Sequence, residues 1–295
     1  MMNTDVAVHV GSGVVLVPVV HRTGLTNLSL RQDEPRFVEL LTRVLMLRDG
    51  AIVDVGASIG RFLLMVLAAD RSHPYLAFEP SVSGCAYIQR LIQVNRLQNH
   101  SVIPVALGTH IGVAHLSFNS ATDAFATTTE GFYGPAFFSE RAPVPCFDGD
   151  TLVAALTTRP VALIKIDVEG GELEVLMGLA KTIERSRPAL IVEIIPPYAN
   201  DASEHTAVMR RSRIARLDEL LREWGYQPYK IARGDRLLPR TGRLDPGRST
   251  DTREMDYLCV TSEVAHGLKD LIEAEAVAHN ETGEPLLQTD SCRDA

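Results

Sequence analysis

The sequence predicts a doubly wound α/β fold with a mostly parallel sheet and an antiparallel closing strand. Short apolar stretches alternate with helical patterns through the middle of the chain, as βαβ units require. Of the 295 residues, 45% are apolar, which is enough for a sizeable core. We therefore expect one main domain over residues 50–262, an N-terminal extension packed on it over residues 1–49, and a peripheral helix with a disordered tail over residues 263–295.

The N-terminal extension contains two valine-rich stretches followed by a helical pattern. Val6–Val10 and Val14–Val20 predict a hairpin or two short strands. Pro35–Leu47 predicts an amphipathic helix, with Asp33 as its cap and proline in its first turn.

The core elements then follow in alternation. The predicted strands are Ala51–Val55, Pro74–Phe78, Ser101–Ala106, an edge-like Gly112–Phe118, Ala162–Ile166, Pro188–Ile194, and the antiparallel closing strands Tyr226–Ile231 and Tyr257–Thr261. The predicted helices are Arg61–Ala69, Ser83–Leu97, Asp150–Leu156, Glu172–Ile183, Thr206–Trp224 and Leu268–Ala278.

A long stretch without periodicity, residues 119–145, interrupts this alternation. A loop of this length inside a compact domain is usually functional, so we interpret it as a substrate loop or lid. Its aromatic side chains either stack on a substrate or anchor the loop to the core. They are Phe125, Phe132, Tyr133, Phe137 and Phe138.

Charge and cysteine usage exclude several classes of function. The net charge of -8 argues against a nucleic-acid partner, and the basic cluster around Arg210 is interpreted as a solvated helix face. The four cysteines have no metal-binding spacing, which predicts neither a zinc site nor a disulfide framework. No signal peptide or membrane-spanning stretch is evident, so a cytoplasmic protein without a membrane partner is expected.

A glycine-containing loop follows the first core strand. Asp54 interrupts the otherwise apolar strand Ala51–Val55, and Gly56, Ala57, Ser58 and Gly60 form the turn into the next helix. The spacing departs from the G-x-G-x-x-G that binds a dinucleotide pyrophosphate. Asp54 would repel a pyrophosphate but could pair with the ammonium group of an amino acid, which favours the methionine part of S-adenosylmethionine.

An acidic residue follows the second core strand. Glu79, with Pro80 after it, lies where a carboxylate can accept hydrogen bonds from both hydroxyls of a ribose. Because parallel strands end at one edge of the sheet, Asp54 and Glu79 are expected on the same ligand-binding rim.

Three charged residues alternate along the end of a predicted central strand. Lys165, Asp167 and Glu169 share one face, although a central parallel strand is normally apolar on both faces. Buried charges need partners, so these residues form either an internal ion pair or a polar ligand site. We take all three as candidate catalytic residues.

The segment Ile164–Gly178 resembles the hallmark stretch of the FkbM-type methyltransferases. Further segments follow in the order of that family: Asp54–Gly60, Phe78–Pro80, Val105–Gly108 and Arg187–Glu193. The resemblance covers residues 52–194. It departs from the family at Ser58, where asparagine is frequent, and at Arg61, where an aromatic residue is common.

The resemblance implies a class I, Rossmann-like methyltransferase fold and S-adenosylmethionine as cofactor. It also implies transfer of methyl to oxygen on a small hydroxylated acceptor, such as a sugar or polyketide-type natural product. By the same resemblance, Asp54, Gly56 and Gly60 frame the methionine part, and Glu79 holds the ribose. Ala106 would then face the adenine, and Asp167 would border the reacting methyl group.

Several alternatives stay open. The proton acceptor is Asp167 or Glu169, with His110 and His115 as further candidates. No metal is expected, although Asp167 and Glu193 could hold a divalent cation if a third ligand existed. Competing functions are N- or carboxyl-methylation, a nicotinamide-dependent oxidoreductase and a non-catalytic binding module. A homo-oligomer formed through the N-terminal extension is also open.

Overall fold

The computed structural model describes most of the chain. The described residues are 4–10, 13–19, 25, 27–28, 35–120, 123–134, 136–197, 204–231, 237–239, 244 and 255–272. The predicted cap Asp33, the tail and Cys292 lie outside them. In this part of the chain, Cys85, Cys146 and Cys259 are buried free thiols.

Eight strands form the main sheet. In the order of the sheet, they are β12 (Leu237–Pro239), β11 (Gln227–Ile231), β13 (Asp256–Val260), β10 (Ala189–Glu193), β9 (Val161–Ile166), β3 (Ala51–Val55), β4 (Tyr75–Phe78) and β5 (His100–Ile103). The five strands from β10 to β5 run parallel, and β13, β11 and β12 pair antiparallel. This topology confirms the predicted class I, Rossmann-like methyltransferase fold.

Helices cover both faces of the sheet. They are α1 (Pro35–Leu47), α2 (Arg61–Ala69), α3 (Val82–Val94), α4 (Gly149–Leu156), α5 (Glu172–Gly178), α6 (Ala180–Ser186), α7 (Glu204–Glu223), α8 (Ser262–Gly267) and α9 (Lys269–Ile272). One apolar cluster joins the sheet to α1, α2 and α3, and a second joins it to α5, α6 and α7. Because both faces are covered, the central strand β3 is buried along its whole length.

The N-terminal hairpin packs on the helical layer. Strands β1 (Thr4–Val10) and β2 (Gly13–Val19) pair antiparallel, and Val15 and Val17 are fully buried. Asn95, at the end of α3, accepts a hydrogen bond from the Leu16 amide at 2.9 Å and donates one to its carbonyl at 2.8 Å. This confirms the predicted hairpin and ties it to the core.

A second sheet of three strands changes two of the predicted boundaries. Its order is β6 (Ala106–Gly108), β8 (Glu140–Asp148) and β7 (Gly112–Phe118). The predicted strand Ser101–Ala106 is therefore wrong as one element, since Pro104 lacks the N–H that a continuing ladder needs. The predicted loop 119–145 is also too long, because its last residues belong to β8 and pair with β7 and β6.

The predicted helix Glu172–Ile183 is two helices, with a break at Leu179. A Cβ atom built on Gly178 would lie 1.9 Å from the backbone oxygen of Gly108, so the helix end rests directly on β6. Among the helices of the described ranges, none combines the length and the apolar character that crossing a bilayer requires.

Candidate active site

A tight turn connects β3 to helix α2. Gly56 begins it with φ +80°, and a Cβ atom built there would lie 1.8 Å from the backbone oxygen of Asp167. Only glycine lets the ends of β3 and β9 approach this closely. Gly60, with φ +75°, donates its amide to the Ala57 carbonyl at 2.8 Å. The turn thus lies at the carboxyl edge of the sheet, where open α/β folds bind ligands.

Glu79 follows β4 and fixes this turn from the neighbouring strand end. Its side chain is 6% exposed, and its carboxylate accepts hydrogen bonds from the amides of Ser58 and Ser81, both at 2.7 Å. Ser58 makes its contact with φ +50°, a conformation that asparagine adopts more readily than serine. Burial raises the pKa of Glu79 to about 7, although the two amides oppose this shift.

Asp54 faces inward in the structure. Its side chain is 0% exposed, and the hydroxyl of Tyr75 donates to its Oδ2. Its Oδ1 has no hydrogen-bond partner and lies 3.8 Å from the Lys165 ammonium. Burial raises the pKa of Asp54, and the charge of Lys165 opposes this. The carboxylate of Asp54 is therefore directed to Lys165 and Tyr75, not to the exposed side of the turn.

Lys165 links Asp54 to Asp167. Its Nζ lies 2.9 Å from the Asp167 carboxylate, and although burial opposes the shift, Asp167 and Asp54 raise the pKa of Lys165. The internal ion pair that the sequence left open exists for Asp167. Glu169 has a different hydrogen-bond donor, the hydroxyl of Tyr133.

Three carboxyl groups converge where β9 and β10 end. One oxygen of each of Asp167, Glu169 and Glu193 lies within 4.8 Å of the other two. Glu169 reaches this position because its φ is +55°, which turns the chain back after β9. Burial and the charge of Asp167 raise the pKa of Glu169 to about 8. For the same two reasons the pKa of Glu193 lies well above its usual range.

Thr127 and Tyr133, two described residues of the loop between β7 and β8, lie against this cluster. The Thr127 hydroxyl donates to the backbone oxygen of Glu169 at 2.7 Å, while Tyr133 holds the carboxylate of the same residue. Two separate contacts thus join the loop to the turn after β9. These contacts bring the loop next to the carboxyl group of Glu169.

The aromatic residues of the loop have two different environments. Phe132 is buried in a small apolar cluster with Ile195 and Met255, so it anchors the loop to the core. Phe125 and Phe137 are exposed, and Phe137 stacks on Tyr133 with ring centroids 4.5 Å apart. Of the two interpretations that the sequence left open, anchoring of the loop to the core describes Phe132. The rings of Phe125 and Phe137 are exposed and are not explained by that interpretation.

Arg210 is a residue whose environment the sequence did not predict. Its side chain is 2% exposed, whereas the sequence placed it on a solvated helix face, and that expectation is wrong. The guanidinium donates to the carbonyls of Phe132 and Pro196, each at 3.1 Å, and lies 4.7 Å from the Phe132 ring. An arginine among other arginines carries no sequence signal for this role, because only folding brings the carbonyls of Phe132, in the loop, and Pro196, after β10, to its guanidinium.

Replacing Arg210 should therefore loosen the loop. We expect Arg210→Met to lower the free energy of unfolding by roughly 2–4 kcal/mol, since two buried carbonyls lose a charged donor. Arg211→Met is the matched control. Arg211 is adjacent to Arg210 in the sequence, but its side chain is exposed, and among the described contacts it pairs with the exposed Glu204. Equal urea midpoints for the two variants would contradict this role for Arg210.

The remaining sequence candidates lie in the smaller sheet. Ala106 begins β6 and is buried, next to the end of the main sheet. His110 and His115 are both exposed, at the turn before β7 and on β7 itself. The structure shows no contact between either histidine and the carboxyl cluster among the described residues.

Comparison with known families gives one match. The family described as "Methyltransferase FkbM domain" matches residues 54–228, which include the turn after β3, Glu79 and all three carboxyl groups of the cluster. A search of curated proteins found no match.

Solved structures similar to the chain have low sequence identity. The chain is similar to a methyltransferase FkbM from Methylobacillus flagellatus KT (15% identity, TM-score 0.40), over 72% of this chain but only 43% of that one. It is also similar to a precorrin-6y C5,15-methyltransferase from Geobacter metallireducens GS-15 (12%, TM-score 0.35, 77% and 86% covered). A third is a cofactor-bound protein from MTB (10%, TM-score 0.45, 82% and 90% covered).

Proposed function

The chain belongs to the FkbM methyltransferase family, whose methyl donor is S-adenosylmethionine, and on that premise we propose that it methylates a hydroxyl oxygen of a small molecule. The observation that supports the cofactor part of this proposal is the position of Glu79, while Asp167 and Glu169, as candidate proton acceptors, support a hydroxyl acceptor. A buried carboxylate directly after the second parallel strand, beside a glycine turn, suits the two hydroxyls of a ribose.

The residues present fit the cofactor. Glu79 uses its oxygens for two backbone amides and retains acceptor capacity for further donors. The positive-φ glycines at 56 and 60 allow close approach of a ligand to the backbone of the turn. Asp54, in contrast, contributes through Lys165 and Tyr75, because it is closed off from solvent.

When bound, S-adenosylmethionine supplies an electrophilic methyl group on a sulfonium. The chain must align an acceptor oxygen with that group and exclude water, for which the loop with Tyr133 and Phe137 lies beside the strand ends. Asp167 and Glu169 are the proposed proton acceptors for the hydroxyl. Lys165 holds Asp167 in place at 2.9 Å.

A panel of hydroxylated small molecules with labelled methyl donor tests the acceptor atom. The proposal expects methyl ethers as products. N-methyl products or methyl esters would contradict it and favour the alternative acceptors. Hydride transfer from a nicotinamide cofactor would contradict the methyltransferase assignment itself.

The proposed proton acceptors predict a separation of turnover from cofactor binding. One of the two variants Asp167→Asn and Glu169→Gln, the one that replaces the general base, should lower kcat by roughly 10²–10⁴-fold, which is the usual contribution of such a base. The Kd of S-adenosylmethionine should change little for the Glu169 variant. Glu174→Gln is the control, because Glu174 lies on α5, the helix that follows Glu169, and pairs with Arg213 instead of joining the carboxyl cluster. Full turnover in both variants would remove both residues from this role.

A further inference from the structure

The carboxyl edge of the sheet carries an excess of negative charge in the described part of the chain. Lys165 interacts with Asp54, Asp167 and Asp256, and Glu193 interacts with Asp167, Glu169 and Asp256. These two sets of interactions connect one ammonium group with five carboxyl groups, those of Asp54, Asp167, Glu169, Glu193 and Asp256. Buried carboxylates repel one another strongly, so protons or a bound cation must compensate this excess.

Lys165 forms its ion pairs with Asp54 and Asp167, and its charge also opposes the rise in the pKa of Glu169. Its Nζ lies 2.9 Å from Asp167 and 3.8 Å from Asp54. Glu169 has a neutral donor, the Tyr133 hydroxyl. Among the described residues, no ion pair joins the carboxyl group of Glu169 or Glu193 to a basic side chain.

Glu193 provides an independent indication of a missing ligand. Its Oε2 atom is buried and has no hydrogen-bond partner. The side chain is largely buried and approaches the Asp167 carboxylate within hydrogen-bond distance, although two carboxylates have no donor to share when both are ionised. A buried acceptor of this kind is costly unless something binds it.

The geometry of the three carboxyl groups suits a single ion. Their closest oxygens lie within 4.8 Å of one another. Oxygens on opposite sides of one ion lie roughly 4 Å apart for Mg²⁺ and roughly 5 Å apart for Ca²⁺. An all-carboxylate set also selects hard divalent cations over the thiolate- and imidazole-binding metals.

We propose that Asp167, Glu169 and Glu193 together bind one divalent cation of the Mg²⁺, Mn²⁺ or Ca²⁺ type. Such ions take about six to eight oxygen ligands, so three carboxylates leave positions for water or for an oxygen of the acceptor. This deepens the proposed function, on which the link to the acceptor rests. Binding of the cation itself does not depend on it. The sequence analysis expected no metal because it found no third ligand beside Asp167 and Glu193, and in this proposal Glu169 is that third ligand.

Mn²⁺ binding to the full chain tests the proposal without any substrate. The protein is treated with EDTA, dialysed and titrated with MnCl₂, and the free ion is followed by electron paramagnetic resonance. The expected result is saturable binding of one Mn²⁺ per chain, and Mg²⁺ or Ca²⁺ should compete. Glu193→Gln should weaken binding by about tenfold or more, because it removes a charged ligand, whereas Glu174→Gln should bind as the wild type does.

Two controls keep the outcomes separate. The thermal midpoint of the metal-free Glu193→Gln protein shows whether it folds, and Asp167→Asn serves as a second ligand variant if it does not. Absence of saturable Mn²⁺ binding, or unchanged binding in folded Glu193→Gln, overturns the cation site and indicates carboxyl groups that share protons. S-adenosylmethionine binding is measured on the same samples. If the wild-type protein did not bind S-adenosylmethionine, the proposed function would be overturned. If it bound S-adenosylmethionine but not Mn²⁺, only the cation site would be overturned.

Discussion

Gly56→Ala is expected to destabilise the protein by roughly 2–5 kcal/mol and to abolish the turn after β3. The left-handed backbone costs a residue with a Cβ atom about 1–2 kcal/mol, and overpacking adds about 1–3 kcal/mol. The overpacking is severe here because the new Cβ atom would lie 1.8 Å from the backbone oxygen of Asp167. Backbone cannot rotate away as a side chain can, so the ends of β3 and β9 must separate. Urea denaturation measures the loss.

Gly131→Ala separates the two contributions. Gly131 has a similar φ of +76°, but the nearest atom to its added Cβ would be the Met209 Sδ at 3.9 Å. This variant should therefore lose only the conformational part, about 1–2 kcal/mol. It should also bind S-adenosylmethionine normally. If both variants lost the same stability, the close approach of β3 and β9 would not explain the glycine.

Glu79→Ala should weaken binding of S-adenosylmethionine by about 10²-fold or more. Each hydrogen bond to a charged group contributes about 1.5–3 kcal/mol, and tenfold in affinity corresponds to about 1.4 kcal/mol. Asp150→Ala is the matched control, because Asp150 also accepts two backbone amides, from Lys181 at 2.9 Å and Thr182 at 2.7 Å, but lies outside the site. Both variants should lose stability, and only Glu79→Ala should lose affinity in calorimetry.

Because the pKa of Glu79 is raised, the affinity for S-adenosylmethionine should depend on pH. The carboxylate accepts ribose hydroxyls when it is ionised, and its pKa in the free protein is about 7. Affinity should therefore be full above pH 8 and fall as the pH drops through 7, by up to about tenfold per pH unit. Glu79→Gln cannot ionise, so its weaker affinity should not show this dependence. An unchanged pH profile in the variant would assign the titration to another group.

The order of strands and helices could be predicted because the apolar periodicity is strong where elements are buried on both sides. Ala51–Val55 and Arg61–Ala69 lie where the sequence placed them. Strand β8 could not be predicted, since its polar and proline-containing sequence is exposed on alternate residues and depends on pairing with β6 and β7. The break at Leu179 likewise depends on a tertiary contact, that of Gly178 with Gly108.

The sequence predicted which residues of the candidate site lie at the strand ends, but not which of their side chains contact one another. Alternation placed Lys165 and Asp167 on one face, and the structure joins them at 2.9 Å. The inward direction of Asp54 was not predictable, because its partner Tyr75 comes from the neighbouring strand. The approach of Glu169 to Glu193 was not predictable either, as it requires Glu169 to adopt a left-handed conformation in the turn that follows β9. Long-range partners decide these contacts, and a local pattern does not encode them.

A crystal structure of the protein with S-adenosylhomocysteine tests the central claim most directly. The account predicts the ribose hydroxyls within hydrogen-bond distance of the Glu79 carboxylate and the amino-acid part against the turn from Gly56 to Gly60. A ligand bound elsewhere, with Glu79 contacting only the amides of Ser58 and Ser81, would contradict it.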